Sequence, residues 1–181
     1  MSGDIAVILI LILRLVVPFS LFRWPLAGIF LCIAADASDV MILQATGYGF
    51  LDGGYYHHFD KIADIYYLFF AWLVARKWDD PLARGTATFW FWWRMAGVAA
   101  FELTGWRPIF LIAPSIFENF YIARLVITKF KPSFRFRPST LIVILLLVGI
   151  PKIVQEYIMH FAYIDQTWTF IREHFFWWLY E

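Results

Sequence analysis

A single cysteine, Cys32, leaves this chain unable to close an intramolecular disulfide or to build a thiolate-rich metal site. Charge is also scarce. Charged residues make up 16% of the 181, against about 25% in soluble domains, so composition argues against a solvent-wrapped globule. A net charge of +1 says nothing about partners, and only the placement of charge is informative. There is no internal repeat and no low-complexity segment. The opening apolar run has no basic residue ahead of it and no small-residue cleavage site, and is expected to persist as a first helix.

What fills the sequence is apolar. Hydrophobic residues reach 62% and mean hydropathy is +0.67. The expected class is an all-α integral membrane protein, one domain of about six transmembrane helices with a C-terminal interfacial helix. The spans are placed at about 5–21, 26–44, 56–75, 86–103, 109–128 and 139–163, with the tail at 165–181. The sixth is expected to kink at Gly149-Ile150-Pro151. Aromatic residues, 22% of the chain, suit an interfacial belt and lipid-facing packing.

Four aspartates stand inside the second and third spans, on either side of a glycine-bearing loop (Gly47, Gly49, Gly53, Gly54). Asp36 and Asp39 are spaced i, i+3, and Asp60 and Asp64 i, i+4, so each pair shares a helix face. In antiparallel helices the two pairs reach similar depth. Carboxylates in hydrocarbon are costly and mark a functional site by default. Hard oxygen ligands in this number suit Mg²⁺ or Mn²⁺, with one carboxylate left as a general base. The competing reading is that the aspartates pair with Arg14, Arg94 and Lys152 and fix helix packing; a proton or ion pathway is the third.

Of the other polar residues, Glu102, Glu156 and His160 fall in the same half of the membrane as the aspartates. His57 and Lys61 flank the second aspartate pair. Glu102 and Glu118 lie in the fourth and fifth spans, and Lys152, Glu156 and His160 form a stripe at i, i+4, i+8 on the sixth. Lys152 and Glu156 are most simply an i, i+4 pair. The basic loop Lys129–Pro138, interleaved with phenylalanine, suits anionic lipid headgroups better than nucleic acid.

The Asp36-Ala-Ser-Asp39 and Asp60-Lys-Ile-Ala-Asp64 segments resemble the D-x2-D and D-x3-D halves of the motif of the CDP-alcohol phosphatidyltransferase family. Arg14, followed by Pro18, is similar to the arginine and proline of that family's first helix. Val40, Leu43 and Gln44 take the places of the motif's glycine, alanine and arginine. The resemblance implies a six-helix membrane enzyme in which Asp36, Asp39 and Asp60 bind divalent metal. Asp64 would be the base that deprotonates an acceptor alcohol.

Basic residues gather in loops 76–84 and 129–137, which the positive-inside rule places in the cytoplasm. That orientation turns the aspartates outward, away from cytoplasmic CDP-linked substrates. Three functions compete: metal-dependent transfer of a phosphate-linked lipid group, a non-catalytic subunit of a larger membrane complex, and a small transporter. Expected partners are membrane lipid and either a second copy or a larger membrane complex, without nucleic acid.

Overall fold

The computed structural model describes residues 3–46 and 55–158. Every element in them is helical. α1 (Gly3–Val16) runs into a 3-10 turn at Val17–Phe19 and a single turn, α2 (Ser20–Arg23). Trp24 leaves the helical region (φ −133°, ψ 75°), and Pro25, which lacks the N–H a helix start would waste, opens α3 (Pro25–Thr46). The reversal is tight because Gly28 has no side chain. A Cβ there would lie 2.8 Å from the Leu21 nitrogen and 2.9 Å from its Cα.

α4 (Tyr55–Ala75) and α5 (Pro81–Thr104) follow. α5 is ended by Gly105 in the left-handed region (φ 65°), whose N–H reaches the Phe101 carbonyl at 2.7 Å. The expected fifth span is broken. α6 (Ile109–Ile112) stops at Ala113-Pro114-Ser115, and α7 (Ile116–Phe130) begins beyond it. α6 packs closely on α5 because Gly97 faces Ala113, whose side chain occupies the place of a Cβ. α8 (Pro138–Tyr157) contains Pro151.

The expectation of about six spans needs correction. Among the described residues, two segments are long and apolar enough to cross a membrane, 109–130 and Pro138–Tyr157. The reason is length and charge. α1 has 14 residues, about 21 Å of helix against a hydrocarbon core of about 30 Å. α3 carries Asp36 and Asp39, and α4 carries Asp60, Lys61 and Asp64, within their length. α5 carries Arg84, Arg94 and Glu102 along its length. The expected tail at 165–181 and the end of the sixth span lie outside the described residues.

The core lies among α3, α4, α5 and α7. Ile29, Cys32, Leu68, Ala71, Phe91, Phe117, Phe120 and Tyr121 are buried there. Many aromatic rings expected at the lipid boundary are used inside instead. Trp72 stacks on Phe91 (5.0 Å, 9°) and Trp78 on Tyr121 (5.5 Å, 27°). Such pairs contribute about 0.5–1.5 kcal/mol beyond area burial. Lipid tails are as apolar as the helices, so ring packing is an effective source of cohesion where a membrane surrounds them.

Candidate functional site: ion pairs and a capped loop junction

Arg14 stands at the centre of the predicted aspartate site. It lies in the last turn of α1, only 4% exposed. Its Nη2 is ion-paired with Asp36 of α3, and its Nη1 donates to Asp64 of α4 at 3.2 Å. One guanidinium thus joins three helices. The two carboxylates come together as the spacing predicts, but around an arginine. Each unit of positive charge there repels a divalent cation and takes the oxygens it would need.

This arrangement overturns the metal reading. No group of three or more His, Cys, Asp or Glu side chains that could hold an ion occurs among the described residues. The Mg²⁺ or Mn²⁺ cofactor and the metal-dependent transferase function fall with it. Asp64, expected as the general base, gives one oxygen to the Arg14 guanidinium. Asp39, Asp60, His57 and Lys61 belong to the α3 and α4 backbones, but their side chains lie outside the described residues. His160 and the glycine loop at 47–54 lie outside them altogether.

The remaining supporting residues form a second set of contacts. Tyr67, one turn beyond Asp64, donates to Glu118 of α7 at 3.2 Å. Glu156 of α8 is 4% exposed and lies 3.8 Å from Arg94 and 3.9 Å from Lys152. Its carboxylate also accepts from the Ser115 N–H at 3.4 Å, at the break between α6 and α7. Arg94 donates to the Ala113 carbonyl at 3.0 Å and lies over the Phe110 ring. The break exposes backbone groups that an unbroken helix would satisfy, and Arg94 and Glu156 supply partners. The i, i+4 pairing of Lys152 with Glu156 is present as the sequence predicts. Glu102 is exposed in the last turn of α5.

A residue that sequence reasoning passed over organises the opposite end. Asp80 caps α5: its Oδ1 accepts from the Leu82 and Ala83 N–H groups at 3.0 and 3.1 Å. Its Oδ2 accepts from the Phe136 N–H at 2.7 Å, fastening the loop after α4 to the loop before α8. Burial would raise the Asp80 carboxyl, but the Phe136, Ala83 and Leu82 N–H groups and the nearby Arg124 outweigh it and hold it below the usual carboxylate range. Arg124 lies over both the Trp78 and Phe136 rings, at 5.2 and 5.9 Å. The sequence signal was available: an aspartate directly before a proline that starts a helix.

Comparison of the chain with protein-family models, with curated proteins and with solved structures finds no match. The functional reading therefore rests on geometry.

Proposed function

We propose that the chain is a non-catalytic integral membrane subunit of a larger complex, whose intramembrane carboxylates are structural ion pairs. The carrying observation is that two acid–base clusters tie helices together: buried Arg14 with the half-exposed Asp36 and Asp64, and buried Glu156 with Arg94 and Lys152. Breaking a buried pair costs about 3–5 kcal/mol, which suits fixing helix order. On this reading, the aspartate spacing that resembles the CDP-alcohol phosphatidyltransferases marks a relative that keeps the helix pairing without the chemistry.

Membrane placement is supported by where the apolar surface lies. Only 11% of the apolar window of α8 is buried, against 50% for 109–130. Leu147, Ile142 and Ile150 on α8 and Ile8, Ile12 and Val16 on α1 are exposed. Such faces need lipid or a partner helix. The Asp80–Phe136 bond gathers Arg76, Lys77, Arg84, Lys129, Lys131, Arg135 and Arg137 at one end, all exposed. This supports a cytoplasmic position for both basic loops.

The test is gentle solubilisation of tagged protein from its native membrane, with chemical cross-linking. Stoichiometric co-purification of other membrane proteins is expected. A lone monomer carrying one Mn²⁺ per chain would overturn the proposal. Orientation is read separately with Ser133→Cys in a Cys32→Ser background, which should label from the cytoplasmic side alone.

A further inference from the structure

Tyr121 is completely enclosed in the helix core, 0% exposed. Its ring has partners: it stacks on Trp78 and tilts against Phe117 at 5.9 Å. Its hydroxyl has none. No hydrogen bond reaches that oxygen among the described residues. Almost every buried hydroxyl bonds to a protein group or to water, and a bare one costs the full loss of its hydration. Phenylalanine would pack the same ring without that cost.

The thiol of Cys32, on α3, lies close enough to Tyr121 to act on it electrostatically. It too is enclosed, and the two make no direct bond. Cys32 is within the same kind of reach of Glu118 and Arg14, and Glu118 accepts from Tyr67 at 3.2 Å. A polar seam therefore runs through an otherwise apolar core. It begins at the Arg14 cluster, where Asp36 and Asp64 are half-exposed, and ends at Tyr121.

We infer that a bound water bridges the Tyr121 hydroxyl and the Cys32 thiol at the inner end of this seam. Water fits the chemistry of both groups. The hydroxyl donates to the water oxygen, and the water donates to the sulfur, a weak acceptor. The hydroxyl is the stronger of the two partners, so it holds the molecule. Internal waters need polar neighbours and a way in. The half-exposed aspartates and Arg14 line an approach that does not cross the apolar side chains.

Brief X-ray radiolysis of the full chain in heavy-oxygen water tests this, read by mass spectrometry, because radicals formed from a held water label the side chain beside it. The readout needs neither a membrane nor a partner complex, so its failure and that of the subunit reading are separate. After allowance for ring reactivity, Tyr121 should take up label at least about threefold faster than Phe117 and Phe120, which are equally enclosed. Cys32→Val removes the second partner and should lower that labelling. Tyr121→Phe keeps the ring and removes only the hydroxyl, so its melting temperature should fall by about 2–4 °C. A dry, bare hydroxyl gives the opposite sign. Labelling of Tyr121 no faster than that of Phe120, or undiminished labelling in Cys32→Val, overturns the inference. So does a rise in melting temperature for Tyr121→Phe. If either variant fails to fold, the wild-type comparison of Tyr121 with Phe120 still decides.

Discussion

Asp80 divides its two oxygens between its own helix and a loop 56 residues away. Asp80→Ala removes a cap and leaves the buried Phe136 and Ala83 N–H groups without partners. We expect a loss of about 2–4 kcal/mol in thermal unfolding in detergent. The pH dependence follows from the depressed carboxyl. Because the folded value lies below the unfolded one, the contribution is complete above the ordinary carboxylate value of about 4 and fades as pH falls through the folded value. Asp80→Asn should abolish that acid-side loss. A melting temperature for Asp80→Asn that falls with acid as steeply as the wild type's would refute the assignment.

At Arg14 the asymmetry of buried charge gives a second residue-scale prediction. The double variant Asp36→Asn with Asp64→Asn removes two carboxylates that face a guanidinium only 4% exposed and should cost about 1–3 kcal/mol. Arg14→Met in that double background removes the charge as well and should recover part of the loss. Recovery by added Mn²⁺ in place of Arg14→Met would instead revive a metal role.

Between elements, the spacing of helices is set by which glycines can accept a methyl group. Gly28 cannot, because Leu21 backbone atoms stand within 3 Å of where it would go. Gly85 can, since its Cβ position is empty to 4 Å. Gly28→Ala should destabilise by more than about 2 kcal/mol, whereas Gly85→Ala should stabilise by about 0.5–1 kcal/mol through helix propensity. Opposite signs for one chemical change, read by unfolding, test the helix placement directly. The break at Ala113-Pro114-Ser115 belongs to this scale too. Pro114 was visible in the sequence, but whether it kinks or ends a helix depends on partners for the freed backbone groups. Arg94 and Glu156 provide them from helices 19 and 41 residues away in sequence.

For the whole molecule, the unburied side of α8 is the largest demand on its surroundings. Leu147→Arg puts a charge on a face that is 69% exposed at that position, near the middle of an apolar helix, where burial in lipid costs about 2.5–3.5 kcal/mol. We expect the variant to leave the membrane fraction on alkaline extraction or to be degraded, while Lys131→Gln, in the exposed basic loop, stays. Normal membrane recovery of Leu147→Arg would place that face elsewhere than in lipid.

Composition alone determined that the chain is helical and rich in apolar surface, because few sequences at 62% hydrophobic can meet water on all sides. Local spacing also determined that Asp36 and Asp64 point toward a common place, that Lys152 and Glu156 pair, and that Pro25 begins a helix; Pro81, five residues ahead of the expected start at 86, was not read as one. Each depends on the geometry of a few neighbouring residues. What occupies the space between the aspartates was decided only by the tertiary structure. A carboxylate pair looks the same in sequence whether a metal or an arginine 22 residues upstream lies between its members, since only the α1–α3–α4 packing brings Arg14 there. The number of segments able to span a membrane was likewise overcounted from apolar stretches, because length in ångströms and charge along the finished helices set that limit. The junction at Asp80 was settled the same way: its second oxygen found Phe136 because the fold brought two distant loops within 2.7 Å, a contact that no local pattern encodes.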